Sequence, residues 1–343
     1  MNRRDTFIDY LKGIAIILML IGHCIQYGSG SVFLIDELYW ENAVMKVIYS
    51  FHMPLFIAIS GYLFWYSVTA HGMLISIRDR MVRLIPVCFS WAVILCIVDI
   101  GKGVDFGLKR FILYFLTDFW FLWAIIFCVI CVAVIEFAGK SFRGGILTAC
   151  IVLLCLFLIV PDILNTHTYK YVAPYFVSGF YYAKYKRKWL NHTGVGIISA
   201  VTWIVLLQLY SKNTFIYTTG ITIINKEDAL GQMAIDGYRY LIGAVGVISV
   251  VWFTKKIYDV IARSKIPCMR MGKDGIEYMG RNSITYYILS TYLFIWVMPS
   301  ITKGFSINYA VTLFETILMV VLCSAIGRLI KCSKIISKWL IAS

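Results

Sequence analysis

Hydrophobic positions along the chain come in long unbroken runs. They do not alternate as barrel strands do, nor follow the spacing of a half-buried surface helix. About 20 apolar residues in a row is the length that crosses a bilayer as a helix. Ten such runs predict ten membrane-spanning helices, at about 8–27, 43–67, 84–101, 119–138, 145–161, 172–185, 193–210, 239–257, 282–299 and 308–327. The sixth is short and interrupted by Gly179, which predicts a tilted or broken element. Residues 105–118 and 328–343 mix apolar and basic positions and read as amphipathic helices at the membrane interface. No internal repeat or low-complexity linker divides the chain, so 1–343 reads as a single integral domain, an all-α polytopic membrane protein.

Composition sharpens the class. With 60% hydrophobic residues and a mean hydropathy of +0.80, the chain is too apolar for a soluble domain. A net charge of +14 would point to nucleic acid in a soluble protein. Here the basic side chains sit between apolar runs, so the expected partner is the lipid bilayer and not nucleic acid. With the N-terminus in the cytoplasm, 22 lysines and arginines fall on the cytoplasmic side and eight on the other. That asymmetry predicts cytoplasmic N- and C-termini in a multi-pass protein of the cytoplasmic membrane. The ten cysteines lie mostly inside apolar runs. The Cys128-Val-Ile-Cys131 pair therefore reads as small hydrophobes, with no disulfide and no metal site expected.

The first run carries Asp9, Lys12 and His23. Ionisable groups inside a bilayer cost roughly 2.5–3.5 kcal/mol on insertion scales and usually mark function. Lys12 and His23 are eleven residues apart, so they lie within about 20° of one helix face and about 16 Å apart along it. A snorkelling lysine and a satisfied core histidine would share that spacing. The second run holds Phe51-His52-Met53-Pro54-Leu55-Phe56 and Ser60-Gly61-Tyr62. A proline-kinked helix bearing a histidine suits a cavity wall, although His52 could equally cap carbonyls at the kink. Arg80 and Arg83 are i,i+3 neighbours and form one cationic face at a membrane entry. Guanidinium forks suit phosphate, and the same charges suit an ordinary positive-inside loop. On the outer side, the first loop carries Asp36, Glu37 and Glu41, and residues 211–238 are long enough to cover a cavity.

Taken together these stretches resemble the acyltransferase-3 family of integral membrane O-acyltransferases, which includes bacterial sugar and polysaccharide O-acetylases. The resemblance continues through Arg80-x-x-Arg83-Leu84-Ile85-Pro86, Phe119-Trp120-Phe121-Leu122, Tyr175-Phe176-Val177-Ser178-Gly179-Phe180 and Gly280-Arg281-Asn282-Ser283-Ile284-Thr285-Tyr286-Tyr287. It implies a ten-helix transferase that moves an acyl group, of acetyl type and drawn from acetyl-CoA, onto a hydroxyl of a cell-surface glycan or lipid-linked sugar. In that frame His23 is the general base and Asp118 its orienting partner. Lys12, Arg80 and Arg83 bind the acyl-CoA phosphates, and Asp9 holds Lys12 in place. His52, Ser60, Trp120, Asn282 and Ser283 contact substrate. Ser290 stands where many members have a histidine, and Glu315 reads either as a proton path or as a structural partner. A rival reading from the buried charges alone is a transporter of a glycan or lipid precursor, for which inverted repeats with paired broken helices would be the sign.

Overall fold

The computed structural model describes residues 5–27, 40–140, 145–187, 190, 192–224, 226–302 and 308–342. Asp36 and Glu37 of the expected acidic loop lie outside the described residues. In chain order the helices are α1 (Thr6–Tyr27), α2 (Ala43–His71), α3 (Met73–Gly101), α4 (Leu108–Thr117), α5 (Trp120–Ala138), α6 (Gly145–Ile159) and α7 (Thr166–Lys184). They continue with α8 (Thr193–Leu207), α9 (Ala229–Arg263), α10 (Pro267–Arg281), α11 (Ser283–Tyr292), α12 (Tyr309–Lys331) and α13 (Lys334–Ile341). A π-helical turn, Leu293–Val297, carries α11 on into Met298–Thr302.

All ten expected runs are helical, and seven are long and apolar enough to cross a membrane: α1, α2, α3, α5, α9, α12 and the α11 rod. The other three fall short for different reasons. Helices α6 and α8 have 15 residues each, or about 22 Å at 1.5 Å per residue. Helix α7 has 19 residues but carries Lys170, Pro174 and Lys184. It is a single unbroken helix, so Gly179 does not interrupt it. Asn42, Asp228 and Asn308 start α2, α9 and α12 by accepting from the amides of Met45 (3.0 Å), Gly231 (2.7 Å) and Val311 (2.9 Å).

Two glycine crossings set the bundle's geometry. Gly61 of α2 lies against the Phe176 carbonyl of α7, and Gly179 of α7 against the Ala58 carbonyl of α2. A Cβ at either would collide with backbone, which is why small residues bring helices this close. Gly13 of α1 and Gly280 of α10 do the same against the carbonyls of Ile276 and Asp9. The stretch carrying Lys273 and Arg281, expected as a basic loop, is thus a helix packed on α1. Its inner face buries Glu277, Met279 and Gly280.

The Arg78–Pro86 stretch is likewise helical, since α3 begins at Met73 directly after Gly72, whose φ of +83° makes the corner with α2. The basic tail forms α13, which folds back on α3. Trp91 Nε1 donates to the Leu340 carbonyl at 2.9 Å and Arg83 Nε to the Ala342 carbonyl at 2.7 Å.

Candidate active site

Two abutting cavities run through the bundle. The first, of about 180 Å³, is walled by Lys12 of α1, Ser60 of α2, Arg80 and Arg83 of α3, and Asn282 and Ser283 at the α10–α11 joint. The second, of about 270 Å³, is walled by His23 of α1, His52 of α2, Asp118 between α4 and α5, Trp120 at the start of α5, and Tyr217 of the 211–224 segment. Met19, Met53 and Tyr287 belong to both walls. The eleven-residue spacing on α1 thus puts Lys12 in one cavity and His23 in the other.

The Lys12 cavity is cationic. Lys12 Nζ lies 3.8 Å from Asp9 Oδ1, one turn back. Arg281, which reads from sequence as one of the loop charges, also lines this cavity and is only 3.7 Å from Glu277. Ile341 of α13 closes one side. Ser60 donates to the Phe56 carbonyl at 2.9 Å, so its proton is committed to the backbone. Asn282 donates to the Tyr278 carbonyl at 2.8 Å and accepts from Lys331 Nζ, which fixes the α10–α11 joint.

The His23 cavity is aromatic. The His23 ring stacks with Tyr27 at 6.0 Å and tilts against Phe294 at 5.6 Å, a ring delivered by the π-helical turn. Its Nδ1 is buried with no hydrogen-bond partner among the described residues. Asp118 is engaged elsewhere: its Oδ2 accepts from Tyr292 OH at 3.0 Å, and Tyr292 stacks on Trp91 at 4.3 Å. The expected Asp118–His23 pair is therefore absent among the described residues. His52 Nδ1 is 2.9 Å from the Ile48 carbonyl. A carbonyl accepts only, so this bond puts the proton on Nδ1 and leaves the Nε2 lone pair unprotonated in the neutral ring.

Residues 211–224 cover the His23 cavity, as expected for that loop, but what fastens them has no signal in the sequence. Arg239, which reads from sequence as an outer loop charge, sits inside α9 and is buried. It donates to the carbonyls of Thr214, Gly220 and Phe215, to Thr219 Oγ1, and to Asp236 Oδ1 at 2.8 Å. Asp162 fastens the other edge. Its Oδ1 accepts from Lys170 at 2.8 Å and its Oδ2 from the amides of Ile221 (2.9 Å) and Thr222 (3.2 Å). Partial burial raises the Asp162 carboxyl, but Lys170 and the two amides outweigh it and hold it below the ordinary carboxylate range. The strap delivers Tyr217, which meets Trp120 edge-on at 6.3 Å.

Ser290 and Glu315 line neither cavity. Ser290 donates to the Tyr287 carbonyl at 3.2 Å. Glu315 is buried in α12 with neither carboxylate oxygen hydrogen-bonded among the described residues. Its neighbour Thr316 reaches Cys24 Sγ at 3.5 Å. Among the described residues no cluster of three or more His, Cys, Asp or Glu could hold a metal ion.

Comparison with known proteins places these features. The nodulation protein NolL of Sinorhizobium fredii (strain NBRC 101917 / NGR234) is 28% identical over 239 residues, covering 66% of this chain and 63% of that protein. NolL of Mesorhizobium japonicum (strain LMG 29417 / CECT 9101 / MAFF 303099) is 28% identical over 250 residues, covering 66% and 62%. The match thus spans somewhat less than two thirds of these relatives' own length. No solved structure matches. The model of the acyltransferase-3 family, described as an acyltransferase domain, matches residues 5–328, and the chain belongs to that family.

Proposed function

We propose that this chain is an O-acyltransferase, of O-acetyl type, that carries an acyl group from cytoplasmic acyl-CoA to a hydroxyl of a cell-surface glycan or lipid-linked sugar. The observation that carries the reading is the pair of abutting cavities: one lined by Lys12, Arg80 and Arg83, the other by His23, with Met19, Met53 and Tyr287 common to both. A polyanionic donor and an uncharged hydroxyl acceptor need such different walls, set close enough for their reacting atoms to meet.

At about 180 Å³ the Lys12 cavity is smaller than the roughly 300–1,000 Å³ that engulfs a drug-sized ligand. It suits the narrow thioester arm of acetyl-CoA, with the phosphates at the cations of its mouth. Asn282 and Ser283 face the same arm. On the other side, Trp120, Tyr217 and His52 frame the acceptor. His23 takes the proton of the acceptor hydroxyl as its oxygen attacks the thioester carbonyl. The new C–O bond forms, the C–S bond breaks, and the CoA thiolate recovers a proton, so His23 ends neutral. The basic-residue asymmetry supports ten spans in the cytoplasmic membrane, with both termini and the Lys12 cavity on the cytoplasmic side.

Purified protein in liposomes, supplied with labelled acetyl-CoA and an extracted glycan acceptor, tests the reading. Label should move to the glycan as an ester. A protein that moves the glycan across the bilayer while leaving acetyl-CoA intact is a transporter, and the proposal then fails. A reporter at Ser343 should read cytoplasmic; the opposite reading would put the Lys12 cavity out of reach of cytoplasmic acyl-CoA.

A further inference from the structure

A third cavity, of about 810 Å³, lies on the far side of α1 and α2 from the site described above and shares no lining residue with it. Helix α1 turns Lys12 to the catalytic side and Leu11 to this one. Helix α2 likewise turns Ser60 to one and Ile59 to the other. Helices α7 and α9 complete the walls. The body of the groove is apolar, with Leu55 opposite Ala244, Val247, Ile248 and Val251.

Polar groups gather at one end, where α1 begins and α7 and α9 finish. Asp5, Arg187, Lys255, Lys256 and Asp259 form this rim. Its two carboxylates are already used. Asp259 pairs with Lys255 at 2.9 Å, and Asp5 accepts from the Phe7 amide at 3.0 Å. Lys255 is further held 4.9 Å over the Phe7 ring. Arg187 lies 5.8 Å over the Tyr185 ring, and neither Arg187 nor Lys256 pairs with a carboxylate among the described residues.

We infer that this groove binds an anionic phospholipid, one acyl chain lying between α2 and α9 and the phosphate held by Arg187 and Lys256. The two halves of the groove demand the two halves of that molecule. An apolar slot between membrane-crossing helices takes a hydrocarbon chain, and cations without a carboxylate partner at its membrane-surface end take a phosphate. A soluble anion would satisfy the rim and leave the slot without a partner. A zwitterionic lipid would fill the slot but bring its own cation to the rim. The acyl donor is not the occupant, because no residue of this groove lines the cavities that hold Lys12 and His23.

The test uses the full chain in nanodiscs of phosphatidylcholine doped with phosphatidylglycerol, followed by release into detergent and native mass spectrometry. The wild type should retain phosphatidylglycerol in preference to phosphatidylcholine. Arg187→Ala with Lys256→Ala should lower that retention about fivefold per cation, and Arg187→Lys with Lys256→Arg should restore most of it. Ile248→Trp fills the slot and should abolish retention although the rim is intact. Should that variant not fold, the gentler Val251→Phe asks the same question, with monodisperse elution as the control. Equal retention of the two lipids by the wild type overturns the inference. So does undiminished phosphatidylglycerol on a folded slot-filled variant, because the anion would then sit on surface charge alone. The readout is independent of acyl transfer, so failure of the functional proposal does not affect it.

Discussion

The two abutting cavities differ in what each does with its arginines. In the Lys12 cavity the cations outnumber their acids: Lys12 and Arg281 have Asp9 and Glu277 at 3.8 and 3.7 Å, while Arg80 and Arg83 have no carboxylate partner among the described residues. In the His23 cavity Arg239 has its donors bound to the carbonyls of Thr214, Gly220 and Phe215 and to Asp236. The first keeps a net positive field, fit for an anionic ligand. The second is a fastener whose charge is consumed within the fold. In sequence the two look alike, a basic residue at the border of an apolar run. What separates them is hydrogen-bond satisfaction, and that is a property of the folded chain.

The contrast is broken most severely at His23. If the cavity's one essential group is a neutral base, His23→Ala should cut turnover by about 10²–10⁴ while leaving the protein folded. His23→Gln keeps a hydrogen-bonding side chain but cannot accept and return a proton, so it should be nearly as inactive. Acyl transfer by a stably expressed His23→Gln protein close to the wild-type rate would remove the catalytic assignment and leave a packing histidine. His52, whose Nε2 is the bare nitrogen, would then be the next base to test.

Next in size is the fastener. Arg239→Met removes the partner of Asp236, which is itself buried. Breaking a buried pair from one side costs about 3–5 kcal/mol. The expected result is a lower unfolding midpoint and early proteolytic cleavage within 211–224. An unchanged midpoint would mean that the strap does not depend on Arg239.

The donor-side arginines should behave in the opposite way. Arg80→Ala together with Arg83→Ala should leave the unfolding midpoint nearly in place and raise the apparent KM for acetyl-CoA. A hydrogen bond to a charged group contributes about 1.5–3 kcal/mol, or roughly 10–150-fold in affinity. Arg83 also holds the Ala342 carbonyl, so some loosening of α13 is expected from that position alone. Loss of membrane insertion with normal KM in the surviving protein would make these arginines topology signals only.

Much of this arrangement is legible in the sequence. The Lys12–His23 spacing is local, so helix geometry alone sets the two groups on one face. The i,i+3 spacing of Arg80 and Arg83 is local too, and so is the small residue at Gly61. What escapes is non-local. Helix α10 reads as a basic loop because its outer face is charged and its inner face is short. Nothing in the sequence near 276–280 says that Gly13 waits opposite. Asp118 reads as the partner of His23, but its partner Tyr292 is 174 residues away and leaves no periodicity to detect. The closure of the Lys12 cavity by Ile341 is hidden for the same reason, since the tail reads only as an amphipathic segment.

The smallest effect concerns the second fastener and is best seen through pH. Asp162 has its carboxyl held below the ordinary range, because Lys170 and the amides of Ile221 and Thr222 outweigh the cost of its burial. A carboxylate depressed in the folded state adds stability above its unfolded pKa, near 3.9, and loses it as pH falls through the folded value. His167, close by, is lowered chiefly by burial, despite the opposing pull of Asp162. Its contribution fades in a higher window, as pH drops below about 6.5, because the unfolded chain then takes up a proton that the folded one resists. Two acid-side losses are therefore expected in amide exchange at Ile221 and Thr222, separated by several pH units. Asp162→Asn keeps an acceptor but not the charge that faces the buried Lys170, so it should cost about 1.5–3 kcal/mol at neutral pH and erase the lower transition alone. If the lower transition survives that substitution, the edge of the strap is held by something other than Asp162, and Arg239 carries the closure by itself.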